Sequence, residues 1–209
     1  MNICSYTKKG AMFGLDARIA LAIFGALSVI SGAALFSAIQ DARVTAMVVY
    51  FEDMAKAYES LYIDTAAHNQ HGCYLTTNNP AIQGWNGPYI RTTPQANCSG
   101  TQSVAIDDPF LNAVSTSSSY RGEIVLTGSG IFGTLKDTAW TTYPEPCATN
   151  DCSVYYSHRS PSGNINGTEF NRIAALLDEK IDGGDGALKG KFRYDTGVVY
   201  NWYYKVMPK

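Results

Sequence analysis

Residues 19–39 carry no charged side chain, and no other feature of the sequence constrains the fold as tightly. As a helix rising ~1.5 Å per residue, a run of that length spans roughly 30 Å, the depth of a bilayer's hydrocarbon core. Lys8 and Lys9 stand before it, followed by Gly10, Ala11 and one acidic residue, Asp16. The two lysines orient the segment with its N-terminus in the cytoplasm and the rest of the chain translocated. A secretory signal peptide does not fit the order of parts, because the small-residue pair precedes the apolar run instead of following it. Asp16 is unusual in this setting. A carboxylate within a span costs ~2.5–3.5 kcal/mol near the helix centre and less towards the interface, so it calls for a partner. Arg18 lies two positions on and cannot face it on a helix.

The helical signal continues past the membrane. Residues 40–62 contain neither proline nor glycine, and Val44, Met47, Val48, Phe51, Met54, Ala55, Tyr58 and Leu61 recur at steps of three and four. That is the pattern of an amphipathic helix with one buried stripe. Small residues of the apolar half, among them Gly25, Ser28, Gly32 and Ala33, suit close helix–helix approach.

Beyond residue 62 the character changes. Residues 64–106 are rich in Asn, Gly, Thr and Pro and read as a long connection with little regular structure. Residues 122–127, 153–157, 191–194 and 198–206 are rich in β-branched and aromatic side chains bounded by turn formers, and they read as strands. The YDTG at 194–197 suits a hairpin between the last two. A second helix lies between them: Thr168 fits an N-cap, Phe170, Ile173, Leu177 and Ile181 form its apolar stripe, and Gly183 stops it. The expected fold class is α+β, a long N-terminal helix packed on a small antiparallel sheet with disulfide-stapled loops.

At 209 residues, with 16% charged residues and a net charge of −2, the composition fits one membrane segment plus one globular head and gives no global drive toward nucleic acid. Of five cysteines, Cys4 precedes the span; Cys73, Cys98, Cys147 and Cys152 follow it. An even set in an exported body points to disulfides. Three pairings are possible, and Cys73–Cys98 with the short loop Cys147–Cys152 is preferred. A zinc site is disfavoured because no C-x-x-C is present.

Catalytic patterns are missing. His158 stands beside Ser157 and Ser160 without a nucleophile motif, and the glycines at 128–133 lack the G-K-[ST] ending of a phosphate loop. An enzyme is not expected. His68, His71 and Cys73 form an H-x-x-H-x-C set, but at the helix end and with a cysteine better used in a disulfide. The glycine-rich run at 177–186, LDEKIDGGDG, offers Asp182 and Asp185 to a hard cation such as Ca²⁺, with Asp107 and Asp108 as remote additions. No Glu closes an EF-hand loop there.

The basic leader, small residues, acidic residue and apolar helix at 8–39 together resemble the N-terminus of type IV pilins and type II secretion pseudopilins. Residues 84–90, GWNGPYI, resemble the G-W-x-G-P-Y-I/L segment of major pseudopilins; Asp108-Pro109-Phe110 and the 177–186 run resemble later segments of the same proteins. The resemblance implies cleavage by a prepilin peptidase. A cut between Ala11 and Met12 places Asp16 at the family's acidic position, with Gly25 nine residues on; a cut after Gly10 places Leu15 there instead. Ala before the cut, Asp for the usual Glu, Gly14 and Arg18 depart from the family pattern. Residues 1–11 would be the leader, 12–62 the long helix (membrane anchor to about 39), and 63–209 a pilin-like head in the periplasm or in an extracellular filament. The implied function is a structural subunit of a type IV pilus or a secretion pseudopilus, anchored before assembly in a bacterial inner membrane. Its partners would be other pilin subunits, the peptidase, the inner-membrane assembly platform and the membrane. Asp16 would neutralise the N-terminal amine of a neighbouring subunit. The resemblance also implies calcium near the C-terminal end. The alternative is a single-pass binding module, an adhesin or DNA-uptake receptor, that never polymerises.

Overall fold

A computed structural model describes residues 10–68, 72–79, 81–91, 104–105, 121–125, 134–141, 144–147, 150–159, 167–195 and 201–209. Two units are distinguished, Met1–Ala42 and Arg43–Lys209. The described part of the first is helical throughout. It belongs to α1, which runs Gly10–Thr65, and residues 14–39 of that helix are exposed at every position. Leu21, Phe24, Val29 and Ile30 are each more than half exposed. Water does not tolerate such a surface over so many turns, and α1 is long and apolar enough to cross a membrane.

In the second unit, α1 becomes one-sided. Val44, Met47, Phe51, Met54, Ala55, Ala57, Tyr58 and Leu61 are buried, while Val48 is half-buried. This is the expected stripe with Ala57 added. It lies on an antiparallel sheet of six strands: β1 (Val104–Ala105), β2 (Arg121–Val125), β3 (Leu135–Lys136), β4 (Cys152–Arg159), β5 (Phe192–Tyr194) and β6 (Asn201–Pro208). Their order is β1-β2-β4-β6-β5, with β3 paired to the start of β4. Phe51 stacks on Tyr204 of β6, ring centroids 5.3 Å apart and 9° from parallel. The second helix, α2 (Gly167–Asp182), adds Phe170, Ile173, Ala174 and Leu177 to the same core. Phe170 stacks on Trp202 at 4.8 Å. Gly183, at φ 72°, takes the left-handed conformation that ends α2. The helix begins one residue before Thr168, which therefore lies inside its first turn rather than at its cap.

The described part of the last strand is Asn201–Pro208, with 198–200 of the expected strand outside the described residues. One feature of the sheet differs from expectation: β4 and β6 are covered on both faces. Side chains alternate along a strand, so Tyr156 and Tyr204 meet α1 while Tyr155 and Tyr203 pack with Leu135 and Trp140 in a second cluster. Only the first of these layers was expected.

Within the connecting region the described residues form a short 3₁₀ turn, Gly72–Leu75, an irregular segment that folds onto the end of α1, and the two residues of β1. Trp85 Nε1 donates to the Tyr74 carbonyl at 2.6 Å, and the Tyr89 hydroxyl donates to Asp64 Oδ2 at 2.8 Å. Gly84, at φ 84°, sits so close to α1 that a Cβ there would run into the Asp64 carbonyl oxygen. Trp85 and Tyr89 are thus packing residues that seal the helix end. Cys147–Cys152 is formed, with Cα atoms 5.6 Å apart. Cys98 and the side chain of Cys73 lie outside the described residues, as do Asp107, Asp108 and the glycines at 128–133.

Candidate functional site

The chemistry with most structure behind it is at the end of α2. Asp178 and Asp182 are four residues apart and so share a helix face. The chain then turns back through Gly183 and brings Asp185 to the same place. One carboxylate oxygen from each of the three lies within 4.8 Å of the others. Asp182 and Asp185 were expected there; Asp178 was not.

Two of the three carboxylates accept from backbone N–H groups. Gly186 N–H donates to Asp178 Oδ2 at 3.0 Å, and Phe192 N–H donates to Asp182 Oδ2 at 2.6 Å. Gly190, at φ 84°, comes so near that a Cβ would lie 2.6 Å from Asp182 Oδ2 and 2.8 Å from Asp185 Oδ1. A side chain at 190 would occupy the space the acids converge on. Asp178 is only 3% exposed. Its Oδ1 and that of Asp185 are buried with no hydrogen-bond partner. An orphaned buried acceptor costs about 1–3 kcal/mol, more when charged, and three carboxylates at this spacing repel one another. Burial raises the Asp178 pKa most, the Gly186 N–H opposes it, and the charges of Asp185, Asp182 and Glu179 raise it further. A cation reverses all of these penalties except desolvation. An all-oxygen set with no His or Cys suits a hard divalent ion over zinc.

The other singled-out residues fall elsewhere. Asp16 is exposed on the first unit of α1, and Gly10, Ala11 and Met12 lie in the same helix. His158 is buried and stacks on Trp202 at 5.5 Å, with its ring also against Phe51; it belongs to the aromatic core. His68 stacks on Tyr62 at 4.6 Å and contacts the Tyr58 hydroxyl through Nδ1 at 3.5 Å. Burial first, and the nearby Lys209 second, hold its pKa below the usual range. His71 is outside the described residues, so the H-x-x-H-x-C set is not placed. Beside α1 a groove of about 500 Å³ opens between Met54, Ala57 and Ile90, rimmed by Lys56 and Arg91.

No family model, no curated protein and no solved structure matches the chain.

Proposed function

We propose that this chain is a filament subunit of the pilin or pseudopilin type, released from a leader by a prepilin peptidase and polymerised through α1. The observation that carries the reading is the two-part character of α1. Residues 19–39 offer an uncharged, exposed and largely apolar surface to lipid or to neighbouring helices, while the stripe from Val44 to Leu61 is spent on the head. A helix of this kind anchors a subunit before assembly and becomes filament core afterwards. Head-to-tail contacts that do not close give an open helical polymer. The measurement that tests it is the mature N-terminus, by intact mass and terminal peptide sequencing with and without the peptidase. The expected result is a peptidase-dependent chain starting at Met12. A start at Ala11 would keep the family and remove the pairing assigned to Asp16. Retention of residues 1–11 would favour the non-polymerising, membrane-anchored binding module.

We propose further that Asp178, Asp182 and Asp185 bind Ca²⁺ and that the ion stabilises the head. Binding to the folded state alone, at 100 times Kd, adds about 2.7 kcal/mol. For a head of this size that corresponds to a rise in Tm of about 5–10 °C. Thermal unfolding in CaCl₂ against EGTA should show it, and Asp182→Asn should abolish it. Equal Tm values in the two buffers would remove the cation from the account.

A further inference from the structure

We infer that a divalent cation at Asp178, Asp182 and Asp185 fixes not only its own loop but also the neighbouring segment at residues 134–141, and thereby shields the Cys147–Cys152 disulfide from reductants. The inference rests on the cation reading above and adds a consequence in another part of the head.

The path begins where the acids touch backbone. Asp182 holds Phe192 N–H, and Asp182 and Asp185 pack against the open side of Gly190. Their positions therefore set the course of residues 190–192. The second segment hangs on that backbone. Trp140 N–H donates to the Leu188 carbonyl at 2.8 Å. Arg193 Nε donates to the Gly190 carbonyl at 3.1 Å, and the terminal nitrogens of the same guanidinium donate to the carbonyls of Lys136, Asp137 and Thr138.

Arg193 is the joint between the two segments. It is 1% exposed, and its guanidinium lies 4.6 Å from the centre of the Trp140 ring and 5.2 Å from that of Tyr155. A buried cation whose donors are met by carbonyls of both segments cannot leave one of them without losing charge-assisted bonds in a dry setting. Movement of 190–192 is thus transmitted to 136–138.

The last link reaches the cysteines. Cys147 N–H donates to the Thr134 carbonyl at 2.8 Å, and Asp137 N–H donates to the Asp151 carbonyl at 3.1 Å. Lys136 pairs with Cys152 across β3 and β4. Residues 134–138 therefore lie against both ends of the disulfide loop, and a thiolate gains access when they lift. Without a cation, three like charges push the acidic loop open. With one, each opening must release the ion, and the open population falls by the factor 1 + [ion]/Kd, about 100-fold at 100 times Kd. Both cysteines are half-buried, so some attack proceeds on the closed form, and the expected slowing is about tenfold or more.

The experiment uses the full chain in detergent, reduced with dithiothreitol in CaCl₂ or EGTA. Alkylation of Cys147 and Cys152 is followed by peptide mass spectrometry, and calcium affinity is measured on the same preparation by calorimetry. The expected outcome is about tenfold slower reduction in calcium. In Asp182→Asn the rate should no longer depend on calcium. Arg193→Lys keeps the charge and loses the planar fork; it should bind calcium within about threefold of the parent and lose the protection. If that variant does not fold, the Asp182→Asn comparison decides alone. Calcium bound by calorimetry with unchanged reduction rates would overturn the coupling and leave the cation reading intact. No binding and no rate difference would overturn both. Protection that survives Asp182→Asn would also overturn the coupling.

Discussion

Phe51→Ala is expected to destabilise the head by about 3–5 kcal/mol, the range for deleting a fully enclosed aromatic ring. Phe51 has no exposed surface. It stacks on Tyr204, and its ring lies 5.7 Å from Phe192 and 6.0 Å from Tyr156. Those partners come from β6, β5 and β4, so one side chain of α1 touches three strands at once. Rigid aromatic walls collapse poorly into a void, which keeps the cavity penalty high. The corresponding fall in Tm is about 6–20 °C for a unit of this size. Val49→Ala is the natural comparison. It lies two residues away on the other side of the helix, is 50% exposed, and should cost no more than about 0.5 kcal/mol. Thermal unfolding of both variants, followed by tryptophan fluorescence, makes the test. Equal losses would mean that this half of α1 is not a core element.

The difference between those two positions was already legible in the sequence, because a helix of period 3.6 records its burial locally. Every residue of the Val44–Leu61 stripe sits within a turn or two of its stripe neighbours, and α2 announces itself in the same way. Features made by distant parts of the chain were not legible. β3 has only two residues and exists because β4 and the Cys147 loop lie beside it. Arg193, in the run FRYD, has the appearance of an outward-facing strand residue, yet Trp140 and the carbonyls of another loop enclose it.

The acidic site divides along the same line. Asp182 and Asp185 stand out among glycines, so their composition marks them. Asp178 had one usable signal, its four-residue step from Asp182. It was masked because Asp178 also follows Leu177 in the buried stripe, where an acid looks like an interruption. Its burial and its orphaned oxygen arise only when Gly186 folds back over it.

Asp16→Ala carries the largest expected effect on assembly. Within the proposed filament, Asp16 meets the new N-terminal amine at Met12 of an adjacent subunit, and both charges lie among apolar helices. Removing one partner of such a pair strands the other charge out of water, at a cost of about 3–5 kcal/mol. At 1.4 kcal/mol per tenfold, subunit addition should weaken by a factor of about 100–4,000. The head should be untouched, since residues 14–39 are exposed and Phe51, Tyr204 and Trp202 make the core without them. Asp16→Glu retains the charge one methylene further out and should recover most assembly. Filament yield by sedimentation and electron microscopy, with the Tm of the head measured in parallel, separates the possibilities. Loss of filaments at unchanged Tm, rescued by Glu, is the expected pattern. Normal filament yield from Asp16→Ala would show that the carboxylate has no part in setting subunit register. A loss that Asp16→Glu does not rescue would tie the effect to side-chain shape instead of charge.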